Sequence, residues 1–579
     1  MRVTREGRRD LRTALLFCCA VVTPFAAANS SFAAGVETPG TSSGKSPVSS
    51  SSETPSAASP PPSSAQASSA PERLFDINAY DVVGNTVLDV RTIDEALESY
   101  LGPKRTRNDI EAARKSLEQA YAARGYQTVY VVIPKQTVKG GIVRLEAVET
   151  RIGTVSVKGE RYTSTEQIAD ALPSLKPGTV PNLKTLNVDL VALNSASPDR
   201  QVTPQMKQGA APATIDVDLD VQDKLAVHGG VEINNKYSRD THQYRLQANA
   251  SYDNLWGLNH SLSALYSVAP EDPADGEVYA LTYTAPIPDS DVKLSLTVLR
   301  SNSNVTTLGT TDVLGRGWSA TLNATLGLGT ASLFGEGDYF HYLQGSVAYK
   351  RFNDMVSVGG ASSSAPITYY PISLGYFGSW RDVVDQVSVN ASLNFSFRGL
   401  GSDQTGFDNS RYLADGNFVY LRGGFSWLRN LPWGFDLYLS GSGQFANGPL
   451  ISNEQFSLGG DGSVRGYLQS EGLGDKGVQG TFEVRGPNLA AYAHQDWFND
   501  LRLVAFFDGG RGWLNSALPE QQKLYSLRST GVGATTELFD HLYSSVYGAW
   551  PLKASAGSGL SGVSWYGDPR IQFRVWTQF

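Results

Sequence analysis

From about residue 226 to Phe579, apolar and polar side chains alternate in short segments separated by turns. A period of two places successive side chains on opposite faces, which fits strands and not helices. Tyr244, Leu246, Ala248, Ala250 and Tyr252 interleave with Gln243, Arg245, Gln247, Asn249 and Ser251. Val387, Val389, Ala391, Leu393, Phe395 and Phe397 interleave with Ser388, Asn390, Ser392, Asn394, Ser396 and Arg398. Val292, Leu294, Leu296 and Val298 repeat the pattern less strictly. The segments number about 16, an even count of the kind bacterial barrels have. Their connections fall into two sets: short ones such as Leu428–Gly434 and Leu538–His541, and long ones at 302–315, 399–417, 446–476 and 511–525. A water-soluble all-β domain this long would need two packed sheets and gives no reason for two classes of loop. The expected fold of residues 225–579 is therefore an all-β transmembrane barrel of about 16 antiparallel strands in an outer membrane.

The last segment fits that reading. Ile571, Phe573, Val575, Thr577 and Phe579 share one face, and Gln572, Arg574, Trp576 and Gln578 the other. Terminal strands of bacterial outer-membrane barrels carry aromatics at the membrane interface, so Phe573 and Phe579 mark the closing strand. Ile571, Phe573, Val575 and Phe579 are expected to face lipid, and Arg574 the lumen.

The other end reads as export machinery. Arg2, Arg5, Arg8, Arg9 and Arg12 precede an apolar run from Ala14 to Ala28 that ends in small residues. That is the layout of a secretory signal peptide, taken as residues 1–34. Both cysteines, Cys18 and Cys19, lie inside it, so the mature chain is expected to hold no disulfide and no thiolate metal site. The signal carries those five arginines against Glu6 and Asp10, so its removal takes the formal net charge from −8 to −11. An acidic chain argues against nucleic acid as a partner. Residues 35–72 are rich in Ser, Pro and Ala, cannot bury enough apolar surface to offset ordering, and read as a disordered linker.

Residues 73–149 and 150–224 read as two copies of one α+β unit. In the first, an extended stretch Leu74–Val83 precedes a helix with Thr92 and Glu95 as capping box and Gly102-Pro103 as its stop. A second helix starts at Thr106 and Asp109, carries Ile110, Ala113, Leu117 and Tyr121 on one face, and stops at Gly125. Strands follow at Tyr126–Ile133 and Gly141–Val148. In the second copy, residues 151–158 are extended and Ser164 with Gln167 caps a short helix. Leu183, Leu186, Leu190 and Leu193 form the seam of another, before strands Val202–Lys207 and Ala213–Val221.

One loop stands out for chemistry: Leu458-Gly459-Gly460-Asp461-Gly462-Ser463-Val464-Arg465-Gly466-Tyr467. A lone Arg among glycines suggests a tight turn with its side chain aimed at something specific. The strand Leu501–Phe507 runs into Asp508-Gly509-Gly510. An Arg and an Asp could pair in a barrel lumen, where reduced solvation strengthens a charge-assisted contact. On pattern alone they could equally be unrelated solvated charges.

The segment Gly462-Ser463-Val464-Arg465-Gly466-Tyr467 resembles the VRG(Y/F) signature, and Phe506-Phe507-Asp508-Gly509-Gly510 its companion F-x-D-G motif, of the outer-membrane superfamily that joins POTRA domains to a barrel. Two front modules and about 16 strands resemble its secretion branch, the two-partner secretion transporters (TpsB, or ShlB-like haemolysin activators). Residues 193–204 and 214–221 also resemble the second POTRA module of that branch. The resemblance implies an outer-membrane transporter, its N-terminal domains in the periplasm, that secretes a large partner exoprotein such as a haemolysin or adhesin. It implies capture of unfolded cargo by strand addition, the plausible groove lying beside Tyr126–Ile133 and the helix Asn108–Ala123, and threading through the barrel. Arg465 would sit at the tip of a loop folded into the lumen, shaped by Gly462, Val464, Gly466 and Tyr467, with Asp508 and Gly509 on the inner wall opposite. Besides cargo and the lipid bilayer, the barrel-assembly machinery would be a partner during biogenesis. The alternative is a barrel-assembly insertase, which shares the Arg loop but typically carries more front modules.

No enzyme, cofactor or metal is expected. Asp216, Asp218 and Asp220 share a face of a straight strand opposite Ile215, Val217 and Leu219, whereas calcium ligands usually gather on a curved loop. The six histidines are scattered without ligand spacing, and no Ser–His pair stands out.

Overall fold

The computed structural model describes residues 74–579, apart from 139, 196, 240, 274–275, 289, 303–304, 309–310, 334–336, 359–360, 520 and 556–563. The expected signal peptide and linker lie outside the described residues. The described chain divides into two compact units that part between Leu225 and Ala226.

The N-terminal unit is α+β. Strands β1 (Phe75–Ile77) and β2 (Ala79–Val83) are followed by helix α1 (Val90–Leu97), strand β3 (Gly102–Arg105), helix α2 (Arg107–Ala123), and strands β4 (Tyr130–Val132) and β5 (Ile142–Val148). Then come β6 (Arg151–Lys158), α3 (Thr165–Asp170), α4 (Leu183–Ser195), β7 (Arg200–Gln208) and β8 (Thr214–Asp223). In the first half β5 pairs parallel with β2 and antiparallel with β4; in the second β8 pairs parallel with β6 and antiparallel with β7. The two halves thus share one topology.

Local chemistry accounts for most of these elements. Thr106 and Asp109 form the reciprocal capping box of α2, satisfying two end N–H groups. Ala113, Leu117 and Tyr121 are buried with Val131, Leu145 and Ala147 of the sheet, and Ile110, on the same face at spacings of three and four, is buried with Ile77 and Val143. Gly125 follows the helix with φ +99, where only glycine is comfortable. Ser164 caps α3 through the Gln167 N–H. Leu186 and Leu193 of α4 enter the second core, with Leu183 and Leu190 packed against it.

Three details differ from expectation. The cap of α1 is Asp89, whose carboxylate accepts from the Thr92 N–H and hydroxyl at 2.9 Å, while Glu95 pairs with Arg91. Gly102 and Pro103 belong to β3, which pairs with β1; the helix has already ended in a tight 3-10 turn at Glu98–Tyr100. The strand expected at Tyr126–Ile133 shrinks to Tyr130–Val132, because Tyr126 and Val129 are held in successive turns by the Tyr121 and Tyr126 carbonyls. Of the three aspartates of β8, Asp218 is ion-paired, accepting from Lys158 and Lys207 as well as Ser156, and Asp216 accepts from the Thr154 N–H.

The C-terminal unit is a closed antiparallel barrel. Its strands are β9 (Val227–Asn234), β10 (Arg245–Leu255), β11 (His260–Val268), β12 (Val278–Pro286), β13 (Val292–Ser301), β14 (Arg316–Leu333) and β15 (Gly337–Val358). β16 comprises Ala361–Tyr369 and Ile372–Arg381, both pairing with β15. Pro371, without an N–H, stands at the interruption. There follow β17 (Asp385–Phe395), β18 (Val419–Asn430), β19 (Asp436–Ala446), β20 (Lys476–Arg485), β21 (Phe498–Trp513), β22 (Leu524–Leu538), β23 (Leu542–Pro551) and β24 (Arg570–Gln578). Sixteen strands result, as the alternation implied.

β24 closes the barrel on β9, with Arg574 opposite Asn234 and Gln578 opposite Gly230, and Phe579 and Gly229 exchange N–H···O bonds of 3.0 Å. Ile571 and Phe579 are about seven-tenths exposed, while Arg574 pairs with Glu232 at 2.8 Å on the other face. The connections mostly alternate in length as expected, with two exceptions: 486–497 is longer than the other short turns, and only two residues join β15 to β16 where a long loop was expected. At Leu538–His541 both Phe539 and Asp540 have positive φ, as the tightest hairpins require. The 396–418 connection contains helix α5 (Gln404–Ser410), whose Phe407 joins Phe352, Ile367, Tyr369, Phe418, Tyr420, Leu450 and Ile451 in a buried apolar cluster.

Candidate functional site

The connection between β19 and β20 returns along the inner wall of the barrel. Phe456–Leu458 pairs antiparallel with Gly472–Gly474, making a short hairpin whose tip is 459–471. Gly459 and Gly460, with φ +103 and +98, turn the chain at the tip, and the Gly460 N–H donates to the Val464 carbonyl. Leu458, Val464 and Tyr467 then pack with Phe456 against Leu527 of the wall. That packing fixes the backbone on either side of Arg465.

Arg465 is brought to Asp508. Its Nε and Nη2 donate to the two Asp508 oxygens at 2.8 and 3.0 Å, and its backbone N–H donates to Oδ2 at 3.1 Å. Nη1 donates to Glu483 Oε2 at 2.6 Å, and Glu483 Oε1 accepts from Arg485 Nε at 2.8 Å. Asp508 is fully buried; Arg465 and Glu483 nearly so. Two guanidinium groups thus face two carboxylates, so the buried junction is neutral as a set and its charges are hydrogen-bonded as well as paired. The guanidinium also lies 3.5 Å from the Phe506 ring centre and 5.2 Å from that of Tyr547.

The neighbouring motif residues have separable duties. Gly466 has φ +88, and a side chain there would meet Ala549 of β23 at 3.2 Å. Its N–H donates to Gln572 on β24 at 3.4 Å. The Tyr467 hydroxyl lies between the carbonyls of Arg528 and Lys553, at 2.8 and 2.6 Å. Val464 is wholly buried, while Gly462 has open space around it. Asp461 pairs with Lys236 at 3.1 Å. Gly509 stands opposite Gly480 and Arg528 on the outward face of β21, where Phe507 is half exposed; Phe506 and Asp508 point inward. Phe573 lies on the outward side, 6.2 Å from Tyr244.

Sequence reasoning missed Glu483, although Gln479, Thr481 and Glu483 form the polar set of β20. It also missed two anchors at the base of the loop. Glu454 accepts from Lys350 and Tyr369 at 2.6 Å and from Tyr420 at 2.5 Å. Asp475, fully buried, takes a two-pronged contact from Arg411 and further bonds from the Leu450 and Asn515 N–H groups and Gln455. The signal was the position of two of the loop's four acids, Glu454 and Asp475, near its two ends. Side chains of this kind can hold a segment against a wall through charge-assisted hydrogen bonds.

Comparison with known proteins agrees with this architecture. Residues 75–150 match the model of the POTRA domain, ShlB-type. Residues 214–536, more than half of the chain, match that of the haemolysin secretion/activation protein ShlB/FhaC/HecB. The outer membrane transporter CdiB of Dickeya dadantii (strain 3937) is 23% identical over 489 residues, 82% of each chain. The heme/hemopexin transporter protein HuxB of Haemophilus influenzae (strain ATCC 51907 / DSM 11121 / KW20 / Rd) is 21% identical, covering 81% of this chain and 80% of its own. The solved structure of CdiB from Escherichia coli covers 89% of this chain and 93% of its own with a TM-score of 0.59 at 19% identity, a likeness of fold. The chain belongs to the haemolysin secretion/activation protein family ShlB/FhaC/HecB, the outer-membrane transporters of two-partner secretion.

Proposed function

We propose that this transporter captures one large exoprotein in extended form and threads it through the barrel without nucleotide energy, folding outside supplying direction. Residues 73–149 and 150–224 act as two periplasmic POTRA-like domains; their common topology supports treating the second as a copy of the first. β4 is an edge strand with Tyr130 and Val132 exposed, the kind of surface to which an extended peptide adds by main-chain hydrogen bonds. The barrel itself requires the barrel-assembly machinery to reach its membrane.

The observation that carries the proposal is the Arg465 junction. A lumen loop fastened by charge-assisted bonds, rather than by continuous strand pairing, can leave the wall without opening the barrel. Asp508 and Glu483 are its wall partners, Gly466 and Tyr467 its shape. The insertase alternative would share the Arg loop, and it is the family match over residues 214–536 that favours the transporter. Removing the gene and comparing secreted proteins tests the reading: loss of a single large exoprotein is expected, and an unchanged secretome would refute it. In the complemented strain, Arg465→Ala should impair export while barrel level stays constant.

A further inference from the structure

The outward face behind the Arg465 junction has a feature that lumen transport leaves unused. Val478, Gly480, Phe507, Gly509, Arg511 and Arg528 line a notch on the wall formed by β20, β21 and β22. Gly480 and Gly509 stand opposite each other and Gly509 opposite Arg528, so the floor of the notch is bare backbone. Towards the middle of the barrel the wall is apolar: Phe482 and Phe507, directly paired, are about half exposed, and Leu503 and Val532 more so. Trp550, partly exposed, stands opposite Thr530 near the same level, where interfacial aromatics belong.

Arg511 and Arg528 rise above that apolar surface at the long-loop end. Both are exposed, and neither side chain makes an ion pair or hydrogen bond among the described residues. Arg300, on the same kind of outward face, lies over the Trp318 ring at 5.5 Å. Arg511 stands opposite Ser526, two positions from Arg528, a diagonal pair with Cβ atoms about 7 Å apart. That spacing lets two guanidinium forks reach one phosphate, the anion their planar donors fit best. Unpaired cations above a lipid-facing apolar wall are costly unless the adjoining leaflet supplies anions.

We propose that this notch binds a phosphate-bearing lipid of the outer leaflet, its headgroup phosphate held by Arg511 and Arg528 over the Gly480–Gly509 floor. Its acyl chains lie along Phe507, Phe482 and Val532. Lipid phosphate rather than free phosphate is the occupant, because the apolar wall continues directly from the basic pair.

The test uses the full-length protein in detergent and bisphosphorylated lipid A as the probe, with bound lipid counted by native mass spectrometry. Dephosphorylated lipid A and inorganic phosphate are the comparison arms. Wild-type protein should retain one tightly held lipid; one arginine-to-alanine change should weaken it about fivefold, and Arg511→Ala with Arg528→Ala on the order of 25-fold. Arg511→Lys with Arg528→Lys should bind less than wild type and more than the double-alanine variant, since ammonium groups keep the charge and lose the planar fork, and heat-modifiable gel migration checks that each variant is folded. Equal retention by the folded double-alanine variant, equal binding of dephosphorylated lipid, or displacement by millimolar phosphate would each overturn the assignment.

Discussion

Gly531 of β22 stands directly opposite Phe506 of β21, and the Phe506 ring occupies the space that a side chain at 531 would need. Gly533 yields its place to the Tyr547 ring in the same way. Two glycines thus seat the two rings that flank the Arg465 guanidinium, at 3.5 and 5.2 Å. Gly531→Val should displace the Phe506 ring, press on the Gly548 carbonyl beside it, and remove a cation–π contact of about 0.5–2 kcal/mol. The expected result is a folded barrel with higher basal conductance in planar bilayers. Conductance equal to wild type would show that the ring does not help hold the loop.

Arg465→Ala leaves Asp508 and Glu483 buried with the junction's main cation gone, a change of about 3–5 kcal/mol in the loop's attachment. Arg465→Lys should recover little, since one ammonium cannot reproduce the two-pronged contact with Asp508 and the bond to Glu483. Hydrogen exchange over 459–471 is the readout, with faster exchange expected in both variants. Protection equal to wild type in Arg465→Ala would place the attachment elsewhere, at Glu454 and Asp475.

The motif glycines should not behave alike. Gly462→Ala adds a methyl group to open space and should leave export unchanged. Gly466→Ala forces a left-handed backbone on alanine, about 1–2 kcal/mol, and presses on Ala549. Export assays of the pair at matched barrel levels make the comparison; equal defects would contradict the geometry.

The edge of β4 is guarded. The Val131 N–H donates to Glu118 Oε1 at 2.9 Å, its carbonyl accepts from Arg114 Nη1 at 3.4 Å, and the two side chains pair at 2.6 Å. An added strand must displace them. Glu118→Ala should therefore bind extended peptides several-fold more tightly, or self-associate, in fluorescence anisotropy and light scattering. Weaker binding than wild type would mean that Glu118 contacts cargo itself.

Asp223 supplies a pH test. Burial works against its charged form, but N–H groups of Tyr162, Thr163 and Arg161 donate to it and hold its carboxyl below the usual carboxylate value. A depressed folded-state pKa contributes stability above the unfolded value, near 3.9, and loses it as pH falls through the folded one. Asp223→Asn should exchange several-fold faster than wild type in the 161–163 turn at pH 7. Their ratio at matched pH should shrink below about pH 4; a constant ratio down to pH 2 would exclude the charge as cause.

What could be read without coordinates was whatever repeats locally or carries a strong short signal. Alternation marked the strands, their even number and the lipid-facing side of β24, because side-chain direction in a strand follows residue parity alone. The start of α2 at Thr106 and Asp109 and the seam of α4 were legible for the same reason: spacing decides them. The cap at Asp89 was misread because Thr92 and Glu95 offer the same pattern three residues on, and only geometry chooses between them. The Arg465–Asp508 pairing rested on a resemblance, since neither residue's surroundings announce a partner 43 positions away.

Glu483, the ring seats at Gly531 and Gly533, the anchors Glu454 and Asp475, and the basic pair Arg511 and Arg528 came only from the fold. Each depends on which strands lie side by side and at what register, and a one-residue slip would turn every one of them to the opposite face. The chain's alternation alone determined that there would be a barrel with an inside and an outside. The closed sheet decided which charges meet inside it and which are left facing lipid.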